Sequence, residues 1–113
     1  MELRSLTTVD PFTTKDGSTI RELHHTSVQS LAEASLEPAQ GTQRHYHAET
    51  EEIYLVTAGG GTLEVDGESR EVRAGDAVLI PPGAWHELVA GAEGAQLLCM
   101  CAPPYSHEDT YFS

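Results

Sequence analysis

Apolar residues fall at alternate positions through much of the chain, the spacing at which side chains return to one face of a β-strand. Residues 62–65, Thr-Leu-Glu-Val, show it most plainly. Asp66-Gly67 behind them is a two-residue hairpin signal that sends the chain back through 68–72. Further strands are predicted at 20–23, 43–47, 52–57 and 77–80, and at 85–89 and 95–101 with Gly91 to Gly94 between them. Residues 31–36 give a weaker signal, since Ala and Glu are poor strand formers, but Glu37-Pro38 and Gly41 end the run. Turns are predicted at Asp10-Pro11, Asp16-Gly17, Ala58 to Gly61, Ala74-Gly75-Asp76 and Pro81-Pro82-Gly83. The result is about nine short strands with close-set turns and no helical period, the pattern of an all-β sandwich or jelly-roll barrel.

A chain of 113 residues has room for one domain and one core. The pattern divides it into an N-terminal arm at 1–19, a barrel at 20–104 and a C-terminal tail at 105–113. The arm is polar and Thr-rich, with one short extended piece to dock on a partner subunit, so a homodimer is expected. A solvated, turn-like tail is expected, with His107, Glu108 and Asp109 as the residues that would otherwise cap the barrel mouth. Net charge is −12, from 18 acidic and 6 basic residues, which argues against nucleic-acid and anionic-membrane partners. No stretch approaches a membrane span, and the N-terminus lacks a secretory pattern, so the cytoplasm is the expected location. Cys99 and Cys101 are two apart on one strand and poorly placed for a disulfide, so buried reduced thiols are expected.

Chemistry concentrates in two stretches. In His45-Tyr46-His47 the two histidines share a strand face with their Cα atoms about 6–7 Å apart, so that both imidazoles can lean onto one metal ion. Glu51 or Glu52 follows closely. Past the rigid Pro81-Pro82-Gly83 turn, His86 enters a strand with its direction set by that neighbour. His24-His25, by contrast, point to opposite faces and do not make a joint ligand pair.

These two stretches resemble the paired motifs of the cupin superfamily. The first, G(X)5HXH(X)3–4E(X)6G, is matched from His45 through His47, Glu52 and Gly59, while Gly41 stands too close to fill the leading glycine. The second, G(X)5PXG(X)2H(X)3N, is matched at Gly75, Pro81, Gly83 and His86, with Ala90 in place of the asparagine. The resemblance implies a cupin-type jelly-roll β-barrel holding one divalent metal ion (Fe, Mn, Ni, Co, Cu or Zn) on His45, His47, Glu52 and His86. Glu52 is preferred to Glu51 by its spacing to Gly59. Three imidazoles and a carboxylate leave two octahedral positions open.

Strand alternation then turns Gln43, Tyr54, Val56 and Leu88 into the barrel, and Arg44, Tyr46 and Trp85 out of it. The pocket so built is apolar, without an inward Arg or Lys, and suits a small, neutral or enolisable organic substrate. Tyr54 is the candidate catalytic acid, base or hydrogen-bond donor. The implied activity is that of a metal-dependent dioxygenase, an oxidoreductase acting on a small chelating molecule. The alternatives are a lyase, isomerase or cyclase using the metal as Lewis acid, and a non-catalytic ligand-binding cupin.

Overall fold

The computed structural model describes all 113 residues and contains no helix. Nine strands follow in chain order: β1 Phe12–Thr13, β2 Thr19–His25, β3 Ser30–Leu36, β4 His45–His47, β5 Glu51–Val65, β6 Glu68–Arg73, β7 Ala77–Ile80, β8 His86–Ala102 and β9 Thr110–Phe112. All pairings are antiparallel, so each buried side chain alternates with an outward one, as in β5, where Glu52, Tyr54 and Val56 are buried.

The long strands β5 and β8 organise the rest. They pair from Glu51↔Ala102 to Val65↔His86, and the ladder bends midway. On one side of the bend, β3, β2 and β1 continue the sheet beyond β8, and β7 flanks β5. On the other side, β6 flanks β5, while β4 and then β9 lie beyond β8. The two halves face each other as a jelly roll. The prediction of an all-β jelly roll holds.

The glycine run needs correction. Residues 52–57 and 62–65 are one strand and not two strands joined by a turn, and 85–89 and 95–101 likewise merge into β8. Register shifts between Val56 and Ala58 and between Gly59 and Gly61 take up the bend as bulges. A Cβ on Gly59 would overlap the Gly94 carbonyl, and one on Gly61 the Val89 carbonyl. Bare backbone lets the strands touch where the sheet folds over, while Gly59 itself has φ +64°.

Leu36, Val56, Leu63, Ile80, Leu88 and Leu97 form the heart of the core. Ile80 and Leu97 are each 2% exposed, and such burial is worth about 1.5–3 kcal/mol per side chain. Polar residues share that interior: His45, His47, Glu52 and His86 are all buried.

The chain ends join the barrel too. β1 pairs with β2 of the same chain, Phe12 opposite Ile20. β9 pairs with β4, Tyr111 opposite Tyr46, so the tail is not the solvated turn expected. No helix is long and apolar enough to cross a membrane.

Candidate metal centre

Three strands deliver the site. β4 turns His45 and His47 inward, with Tyr46 outward between them, its ring stacked on Tyr111 and edge-on to Trp85. β8 begins at His86, directly opposite His45, straight after the Pro81-Pro82-Gly83 turn. Gly83 N–H donates to the His47 carbonyl at 2.7 Å, so the turn is tied to the histidine strand it serves. Glu52, near the start of β5, is buried, whereas Glu51 is exposed.

The donor atoms of His45, His47 and His86 lie within 4.8 Å of one another. Each ring is locked by its other nitrogen. His45 Nδ1 is 2.7 Å from the Gln43 carbonyl, His86 Nδ1 2.9 Å from the Ala84 carbonyl, and His47 Nδ1 3.3 Å from the Asp109 carbonyl. A carbonyl only accepts, so each Nδ1 carries the proton and each Nε2 presents a lone pair. Glu52 Oε1 stands 3.5 Å from His47 Nε2 and 3.4 Å from His86 Nε2. Neither Glu52 Oε1 nor His86 Nε2 has a hydrogen-bond partner. Buried lone pairs of one polarity thus converge with no proton donor between them, an arrangement that a divalent cation satisfies. The three buried histidines can hold a metal.

Electrostatics follow from that crowding. Burial works against the charge on Glu52, but the imidazoles of His47 and His86 outweigh it and bring its carboxyl down to about 2. For His47, burial opposes protonation, yet Glu52 and the Asp109 carbonyl prevail and its pKa rises above 6.5. His45 moves the other way, because burial and the neighbouring His86 dominate.

Tyr54 lines the same cavity, its ring edge-on to His86 at 5.9 Å. Burial, reinforced by Glu52, pushes its hydroxyl well above the usual value. It remains a phenol. Gln43, expected inside, is exposed, because the strand starts only at His45; Thr42 lines the cavity instead.

Four residues outside the two motifs also reach the centre. Cys101 Sγ donates to Glu52 Oε2 at 3.4 Å, leaving Oε1 for the imidazoles. Tyr105 lies edge-on to His47 at 5.9 Å. Asp109 accepts hydrogen bonds from Ala48 N–H and Glu49 N–H, both at 3.1 Å, and so holds its own carbonyl over His47. Asp16, in the β1–β2 turn, brings Oδ2 within 4.0 Å of His45 Nε2. Asp16-Gly17 was legible only as a turn, and the tail only as polar. The Cys99-Met-Cys101 spacing did carry a signal, since it sets both thiols on the inner face of β8 with Glu52.

Buried histidines on adjoining strands of a jelly roll define a β-barrel whose interior could hold a metal. Residues 32–101 match the Cupin domain family, and the chain belongs to that family. An uncharacterized protein of Methanocaldococcus jannaschii is 44% identical over 108 residues, covering 90% of this chain and 86% of its own. Gentisate 1,2 dioxygenase 1 of Aquipseudomonas alcaligenes is 36% identical over 52 residues, 46% of this chain and 15% of that protein. The dimethylsulfoniopropionate lyase DddW of Ruegeria pomeroyi is 41% identical over 64 residues, 57% of this chain and 41% of that protein. An RmlC-like cupin from Shewanella frigidimarina shares the fold at a TM-score of 0.84 and 19% identity, covering 96% of this chain and 95% of its own.

Proposed function

We propose that this chain is a metal-dependent cupin enzyme of the dioxygenase type, acting on a small chelating organic substrate. The observation that carries the reading is the convergence of imidazole Nε2 lone pairs and Glu52 Oε1 without a proton donor between them. His45, His47, His86 and Glu52 are the ligand set. A divalent metal there supplies Lewis-acid polarisation and, for a redox metal, oxygen activation. The protein does the rest. Ala34, Leu36, Leu88 and Leu97 keep that wall of the cavity apolar, and Tyr54 donates a hydrogen bond to a substrate oxygen from a hydroxyl that stays protonated.

A second reading, a Lewis-acid lyase, is favoured by the likeness to the R. pomeroyi lyase across more than half of this chain. Chelator-free purification followed by metal analysis and oxygen uptake separates the readings. One metal per chain is expected, with oxygen consumed by the Fe(II)-loaded protein given diketones or catechols. Turnover without oxygen uptake moves the assignment to the lyase, and binding without turnover to a non-catalytic cupin. Absence of any retained or reloadable metal overturns both enzymatic readings.

We also infer a homodimer. Leu31, Met100, Ile53 and Leu79 stand in one row across β3, β8, β5 and β7 on the outer face, with Ile53 and Leu79 exposed. A second copy covering that row is expected to show as twice the chain mass by light scattering. The free thiols Cys99 and Cys101 suit a reducing, cytoplasmic setting.

A further inference from the structure

The turn between β1 and β2 puts a carboxylate beside the histidines from outside both motifs. Asp16 Oδ1 is fully engaged. It accepts hydrogen bonds from Thr14 Oγ1, from Ser18 N–H at 2.9 Å and from Ser18 Oγ at 2.7 Å. The loop is itself pinned to the barrel, since Gln40 Nε2 donates to the Gly17 carbonyl at 2.7 Å and Gln43 N–H to the Asp16 carbonyl at 2.9 Å. Oδ2 is therefore held in a fixed direction, 4.0 Å from His45 Nε2. That gap is too long for a hydrogen bond, and both residues line the cavity.

The rest of the cavity says what kind of ligand. Its charged lining is Asp16, Glu22 and Glu52, with no Lys or Arg, and Phe12, Ile20, Ala32 and Leu97 are among its apolar walls. An anionic group placed against Asp16 meets a carboxylate with no Lys or Arg in the lining to offset it. A hydroxyl or ammonium group meets an acceptor already oriented.

We propose that Asp16 Oδ2 is the anchor for a polar group next to the substrate's chelating end, and that this group is a hydroxyl or an ammonium, not an anion. This rests on the metal-centre reading above, in which the chelating end of the same molecule sits at the histidines. Asp16 is then a specificity-determining residue supplied by the N-terminal segment. One oxygen fixes the loop and the other reads the substrate.

Three catechols, each substituted at the carbon next to a chelating hydroxyl so that the substituent lies on the side of Asp16, serve as probes: 3-methylcatechol, neutral; 3-(2-aminoethyl)catechol, carrying an ammonium; and 3-carboxycatechol, carrying a carboxylate. Dissociation constants are measured by protein NMR shifts under nitrogen, on the protein as purified and after metal stripping. The aminoethyl probe is expected to bind tightest and the carboxy probe weakest, spanning about tenfold, the scale of one hydrogen bond to a charged group. Asp16→Asn keeps an Oδ1 acceptor for the loop and removes the charge from the other arm, so the ordering should collapse to within about threefold. Glu22→Gln removes an equal charge from the same cavity and should leave the ordering in place.

A charge-blind order in the unmodified protein overturns the proposal. So does an order that survives Asp16→Asn, an equal collapse with Glu22→Gln, or no measurable binding of any probe. Metal content of the same samples tests the other reading separately. Protein that holds no metal yet ranks the probes by charge keeps Asp16 and loses the metal centre.

Discussion

The cavity has two kinds of wall. Strands β4, β5 and β8 supply His45, His47, Glu52, Tyr54 and His86 from the barrel interior, each position dictated by a two-residue period. The chain ends supply Asp16 from the β1–β2 turn and Tyr105 and Asp109 from the segment before β9, each placed by a few hydrogen bonds. The strand residues cannot shift by one position without inverting every neighbour on the ladder. The end residues depend on local turn chemistry and can move without unpicking the core. If the strand residues are the ligands proposed above and the end residues orient them, the two sets imply effects of different size.

The largest effect is expected at the strands. His86→Ala removes the imidazole proposed as a ligand, which is 1% exposed, and metal affinity should fall beyond the roughly 100-fold limit typical of outer-sphere changes. Glu52→Gln should weaken metal as well, while the folded barrel persists by circular dichroism. Undiminished metal in both variants removes the assigned ligand set.

An intermediate effect is expected at the tail. Asp109→Ala loses the bonds to Ala48 N–H and Glu49 N–H that hold its carbonyl over His47. Metal should still bind one per chain, about 10–100-fold more weakly by competition with a chelator, the range for groups that orient a histidine ligand. An affinity unchanged within error would show that β4 alone orients His47.

The same contrast explains what could be read from the residues in advance. His45, His47 and Glu52 obey alternation, and His86 follows a Pro-Gly turn that few other residues permit, so their convergence was legible. Continuity of β5 was not, because Ala58 to Gly61 is locally a turn signal. Only pairing with β8 makes it a bulged strand. Gln43 was misplaced by extending alternation back past the true start of β4. Asp16 and Asp109 belong to turns whose polar residues look alike in any loop until the barrel shows where the turn lands.

The smallest effect compares the two histidines of β4 in metal-free protein. Burial opposes charge on both, but His47 faces Glu52 and the Asp109 carbonyl, so its pKa lies above 6.5, while His45 lies below. As pH falls, His47 takes up its proton first, and metal competes with that proton in mild acid. For folding, the raised His47 pKa contributes stability that is complete below 6.5 and is lost as pH rises through the folded value. Glu52, held at about 2 against 4.5, contributes stability that is present above 4.5 and is lost as pH falls toward 2. The depressed His45 pKa works against the folded state as pH drops below 6.5. NMR titration of the imidazole signals should therefore give a higher midpoint for His47 than for His45. Asp109→Ala should lower only the His47 midpoint, and Glu52→Gln should lower it further, since Glu52 is the larger of the two favourable causes. Equal midpoints in the unmodified protein would mean that the tail and the β5 carboxylate do not act on His47 as their distances indicate.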